Sequence, residues 1–285
     1  MRLQPLSLLV GFALALLLGV RQTTVATTAT LATLTPAQQR VLDLLSVVEL
    51  PDGAGGTVTT LRVSGANLQV VNGSGATDVA NGLGNLIVGY NEPGNPTGDE
   101  ATGSHNLVTG RSNSFTGVGG LLAGEQNTLT GDWASVTGGA RNLASGTWAS
   151  VGGGGSNAAR SDFTSVAGGV MNEALGLAAS ITGGFDNDTD GFYASVTGGT
   201  RNRADGFASA VTGGVDNQAL ADVSSVSGGG ANVAQVAGTS VTGGQGNSAG
   251  APGGLMGDFS TVSGGQSRTT TDFFDWAAGS LLEND

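Results

Sequence analysis

Apolar positions along most of this chain recur every 15 residues, a spacing too long for either a helix or a single strand. Val136, Val151, Val166, Ile181, Val196, Val211, Val226 and Val241 form one β-branched column. A Gly-Gly pair follows each of them at a constant offset, from Gly138-Gly139 to Gly243-Gly244. Three residues further on comes an asparagine: Asn142, Asn157, Asn172, Asn187, Asn202, Asn217, Asn232 and Asn247. A short period without drift predicts that each repeat is one coil stacked on the next. Within a coil, strand alternation puts Ala134 and Val136 on the inner face, with Ser135 and Thr137 on the outer one. After the glycine turn, Asn142 and Ala144 point inward again. Leu143 and its equivalents, among them Ala158, Glu173, Asp188, Arg203 and Gln218, follow no rule, which marks a solvent position. The asparagine column predicts a ladder of side-chain amides bonded to the coils above and below.

The same reading of patterns divides the rest of the chain. Thr35-Pro36-Ala37-Gln38 has the form of a capping box with proline at the first helical position, and Val41, Leu44, Leu45 and Val48 share a helical face. The expectation is one helix over 35–49, ended by Pro51-Asp52-Gly53. Alternation over 57–71, broken by Ser64-Gly65-Ala66-Asn67, predicts a hairpin capping the first coil. Segment 27–80 is thus a helix-and-hairpin cap, 81–130 degenerate coils, 131–249 the regular repeats, and 250–285 a last coil with a carboxy-terminal cap. The degenerate coils include Asn85–Asn91, Asn106–Asn113 and Leu121–Asn127, interrupted by a loop insertion from Glu92 to Gly103. Near the end, Gly264-Gly265 follows Gly243-Gly244 after 21 residues, so six are inserted within 250–258, and Arg268 stands where an asparagine is due. Phe273, Phe274 and Trp276, with Leu281-Leu282, supply the large apolar residues expected of a cap. The fold class is therefore all-β: a parallel β-roll or β-solenoid of about eleven coils and on the order of 50 Å in length.

Composition narrows the function classes. Of 285 residues 52 are glycine, while 11% are charged and 5% aromatic, so the coil interior must be narrow. A net charge of −12 without a basic cluster argues against binding nucleic acid or anionic lipid. The absence of cysteine removes disulfides, thiolate metal sites and cysteine nucleophiles. Arg2 followed by the apolar run 6–20 has the length of a secretory signal rather than a span, with cleavage expected near Ala26. The expectation is a secreted or cell-surface protein with no membrane span after cleavage.

Candidate chemistry is sparse. Trp133, Trp148, Phe163 and Tyr193, continued by Phe259, share one column that could stack on sugar rings. Ser135, Ser150, Ser165, Ser180 and Ser195 beside Thr137, Thr182, Thr197 and Thr212 form a regular hydroxyl face of the kind ice-binding solenoids present. Asp186, Asp188 and Asp190, followed by Gly191, match the opening of a calcium loop, but its closing glutamate is replaced by Thr197. His105 is the one histidine, and no nucleophile–base–orienter set surrounds it. No catalytic residue, metal centre or cofactor is expected.

The repeat Ser-Val-Thr-Gly-Gly-x-x-Asn-x-Ala-x-Gly-x-x-Ala, over roughly residues 82–270, resembles the head repeats of trimeric autotransporter adhesins and hemagglutinin-type surface proteins. The flanks, 81–92 and 275–279, also look like those of uncharacterised secreted bacterial repeat proteins. The resemblance implies a left-handed parallel β-roll, a homotrimer of chains side by side, and attachment to a surface glycan or protein receptor. This array departs from the family by one extra residue per coil. The family's coiled-coil stalk and carboxy-terminal barrel anchor are not matched in it.

Overall fold

The structure is a computed structural model that describes residues 34–250 and 259–279. The expected signal segment, most of the 250–258 insertion and Leu281-Leu282 lie outside the described residues. The chain forms two compact units, which divide after Leu68.

In the first unit, helix α1 runs Pro36–Asp43. Its capping box is complete: the Thr35 hydroxyl accepts the Gln38 N–H, while the Gln38 side chain accepts the Thr35 N–H. The helix is shorter than the expected 35–49. Leu45–Pro51 instead forms strand β1, antiparallel to β2 (Thr57–Val63), with Leu45 opposite Val63 and Pro51 opposite Thr57. The hairpin turn is therefore 52–56, not Ser64–Asn67, and Leu68 and Val70 lie outside any strand. The reason is local. Val47-Val48 is β-branched and prefers an extended backbone. The Asp52 carboxylate then closes the turn by accepting the N–H groups of Ala54 and Gly56, both at 2.8 Å. Those two bonds, Ala54 first, hold the Asp52 carboxyl below its ordinary range.

The second unit is a parallel β-solenoid of about eleven turns. One sheet stacks 13 strands, from β3 (Leu86–Val88) to Trp276–Ala277; the other stacks ten, from Ser114–Phe115 to Ser248–Ala249. Register is in phase with the sequence repeat: Ser150 pairs with Ser135 and Ser165, and Val151 with Val136 and Val166. Single bridges between equivalent residues, such as Ala140, Gly155, Val170 and Phe185, add a third parallel ladder at the corner between the sheets. The valine column and Ala144, Ala159, Ala174, Ala204, Ala219, Ala234 and Ala249 make up most of the core. Each fully buried valine contributes roughly 2 kcal/mol of apolar burial. The early turns keep the interior volume constant by exchange. Leu129 replaces the usual alanine of the second sheet, and Gly120 replaces the alanine equivalent to Ala134, so that a Cβ at Gly120 would lie 2.7 Å from Leu129 Cδ1.

Of the carboxy-terminal aromatics, Trp276 is itself part of the stack. Trp276–Ala277 continues the 13-stranded sheet in the 15-residue register, pairing with Thr261–Val262. Across the insertion Ser240 pairs with Thr261 and Val241 with Val262, so the strand register on its far side is unshifted.

Candidate functional surfaces

Each ladder asparagine is buried and links three backbones. For Asn202, Oδ1 accepts the Asn217 N–H of the next coil at 3.0 Å, and Nδ2 donates to Gly198 O at 2.8 Å and Gly214 O at 3.0 Å. The pattern repeats for Asn142, Asn157, Asn172, Asn187, Asn217, Asn232 and Asn247. It extends back to Asn127 and Asn113, and Asn91 begins it by accepting the Asn113 N–H while its Nδ2 donates to Asn113 O. The bonds therefore run chiefly from amide to backbone; only a few, such as Asn187 Nδ2 to Asn172 Oδ1, join two side chains. The ladder closes where Asn247 Oδ1 accepts the Arg268 N–H. With both Nδ2 hydrogens used and the amide buried, the column offers no ligand an accessible donor or acceptor.

The second glycine of each pair belongs to this device. Gly199 has φ +91, and a Cβ there would lie 2.2 Å from Gly214 O and 2.4 Å from Asn202 Nδ2. Its neighbour Gly198 has open space around the same position, with the nearest atom 3.9 Å away.

The aromatic column occupies a corner with an unexpected backbone. Trp133, Trp148, Phe163, Ala178, Tyr193, Ala208, Val223, Phe259 and Phe274 all have φ between 47 and 60°. That region costs an L-residue roughly 1–2 kcal/mol. Turning the peptide this way lets Trp148 donate its N–H back to Asp132 O and Phe163 to Thr147 O, opposite in direction to the strand N–H groups. The rings remain exposed. Trp148 and Phe163 stack with centroids 5.1 Å apart, Phe259 and Phe274 at 6.0 Å, and Tyr193 meets the edge of Phe207 at 5.7 Å. A second corner column has the same sign of φ, including Arg141, Ser156, Met171, Asp186, Arg201 and Asp216. Sequence reading missed both, because these residue types rarely adopt positive φ.

The outer face of the 13-stranded sheet carries the expected hydroxyls, but not as a complete lattice. Gly152, Ala167 and Ala210 interrupt it, and Thr137 turns its hydroxyl to Gly152 O at 2.8 Å.

The calcium candidate does not assemble. Asp186 sits in the second corner, not on a strand, while Asp188 and Asp190 lie along the other sheet beside Arg203. Among the described residues no three acidic or histidine side chains are grouped to hold a metal ion. The column read as solvent-facing is half-buried at Asp188, whose Oδ1 has no hydrogen-bond partner. Burial first, then the neighbouring Asp190, push that carboxyl up to about 6, against the opposing pull of Arg203. Arg203 instead bonds Asp190 at 2.9 Å and Asp205 at 2.6 Å, and Arg160 pairs with Glu173 on the same face. This network was legible in principle, since Asp188 and Arg203 share a repeat column.

His105 is structural. Its Nε2 accepts the Asn72 N–H at 3.2 Å and its Nδ1 faces Thr77 O at 3.0 Å, which ties the segment before the first coil to the stack. In the 92–103 insertion, Asp99 accepts the N–H groups of Gly94 and Asn95, and these bonds, Asn95 first, lower its carboxyl. Asn95 in turn donates to Asn127 O at 2.9 Å, folding the loop back onto the coils. No helix of the described residues is long and apolar enough to cross a membrane. No family model and no curated protein matches this sequence.

Proposed function

We propose that this chain is an exported, non-enzymatic, adhesin-like β-solenoid that presents repetitive surface columns for attachment at a cell surface or matrix, as a homotrimer. The observation that carries the reading is how the chain allocates its polar groups. Asparagines, glycines and His105 are consumed in holding the coils together, whereas the outer columns present side chains to solvent. The signal-like run at residues 6–20 supplies the export part of the reading, and the resemblance to adhesin head repeats supplies the trimer.

A second reading, glycan binding along the aromatic corner, is favoured by the exposed stack of Trp148 on Phe163. Flat rings held open to water match the apolar faces of sugars. The hydroxyl face makes ice binding a weaker alternative, because its rows are interrupted.

The test compares the purified chain with a Trp133→Ala/Trp148→Ala/Phe163→Ala variant on immobilised glycans and on matrix-coated surfaces. Adhesion that survives the triple substitution on matrix but is lost on glycans separates the two readings. Absence of adhesion in every format refutes both. Light scattering at low concentration tests the trimer, and thermal hysteresis tests the ice reading.

A further inference from the structure

The two ends of the solenoid differ in chemistry. At the carboxy-terminal end, Asp275 occupies the column that elsewhere carries a small residue, and its carboxylate accepts the N–H groups of Thr271 and Asp272 at 3.2 and 3.0 Å. Arg268 replaces the asparagine that would continue the ladder. Charges set into a terminal coil block further strand stacking.

The opposite end has no such guard among the described residues. β3 is paired on one side, to Leu107–Arg111, and is the outermost strand of its sheet. Ile87 belongs to the valine column, yet it is 45% exposed, whereas Val108, its neighbour one coil inward, is 0% exposed. Leu83, Leu86, Val88 and Tyr90 are exposed around it. Residues 79–91 include no charged side chain, in a chain of net charge −12.

We infer that this end is a self-association face, on which β3 of one copy pairs with β3 of a second copy about a two-fold axis. Head-to-tail stacking would bring the apolar end against Asp275 and Arg268, so the guarded end selects the closed, isologous arrangement. A three-residue strand suits that symmetry: with the axis at Ile87, Leu86 lies opposite Val88 of the partner subunit, antiparallel. A three-residue strand and its few apolar neighbours make a short contact, so the association is weak and concentration-dependent.

Sedimentation of the full chain from about 1 to about 300 μM tests this, and the expected result is a doubling of mass over the low-concentration species, whether that is one chain or three. Val88→Lys should abolish the doubling while leaving the circular dichroism unchanged. The native chain has no cysteine, so Ile87→Cys, which lies on the axis opposite its own copy, should form a disulfide-linked dimer on oxidation and Ser150→Cys, in the middle of the sheet, should not. A mass independent of concentration, or doubling unaffected by Val88→Lys, overturns the inference. Equal cross-linking at positions 87 and 150 overturns it too, since that pattern belongs to side-by-side contact.

Discussion

Replacing Asn202 with alanine isolates what one rung of the ladder does. Three bonds disappear, but their loss is unequal. Gly214 O keeps a second partner, the Thr200 N–H at 2.9 Å. The Asn217 N–H, in a residue with 0% exposure, loses its acceptor and has no water to replace it. Gly198 O loses its side-chain donor at a partly exposed position. An orphaned buried donor costs about 2 kcal/mol and a half-buried carbonyl about 1, for a destabilisation of about 3 kcal/mol. Gln218→Ala, on the outer column one coil away, should change stability by no more than about 0.5 kcal/mol. Asn202→Asp keeps the acceptor for Asn217 but sets a carboxylate against two carbonyls, so it should cost more than alanine at neutral pH. Urea unfolding followed by circular dichroism reads all three. A loss below about 1 kcal/mol for Asn202→Ala would refute the view that the ladder, rather than the valine column alone, couples neighbouring coils.

Three further outcomes follow from particular positions. Gly199→Ala should destabilise by about 3 kcal/mol or more through its positive φ and the clash with Gly214 O, whereas Gly198→Ala should be neutral to within about 0.5 kcal/mol in the same unfolding assay. Val223→Gly should stabilise the chain by about 0.5–1 kcal/mol, because an exposed β-branched residue held at φ +55 gains little from burial to offset its strain; a lower melting temperature would refute this. Folding raises the Asp188 carboxyl from 3.8 to about 6, so the folded chain holds that proton more tightly than the unfolded one. The linked stabilisation is complete below the unfolded value and is lost as pH rises through about 6. Asp188→Asn should therefore gain about 1 kcal/mol at about pH 8, after discounting for its solvent-facing half, and almost nothing at about pH 4. Equal effects at both pH values would refute the assignment.

The stack was readable because every coil poses the same packing problem to the same column. Val136 and its equivalents face one interior, so their identity reports one environment repeated. Segment 41–48 was harder, since Val41, Leu44, Leu45 and Val48 satisfy a helical face while Val47-Val48 also suits a strand. Pairing of β1 with β2 decides between them, and the helical period carries no trace of it. The corner backbone was hidden for a different reason. Trp148 and Arg141 look like ordinary surface residues, and the need to turn an N–H toward the preceding coil appears only once coils are stacked. The aromatic column was therefore visible as a spacing, but its strain and ring stacking were not.

The central claim is that 15 residues of sequence advance the chain by one strand spacing. Three double-cysteine variants carrying spin labels, at Ser150/Ser225, Ser135/Ser225 and Ser135/Ser240, span five, six and seven coils along one column of the 13-stranded sheet. Labelled chains are diluted into unlabelled ones, so that each distance is read within a single chain. Electron–electron distance measurement should give narrow distributions centred at about 24, 29 and 34 Å, a slope of about 4.8 Å per repeat. Broad distributions, or distances that fail to increase by that step, would contradict it.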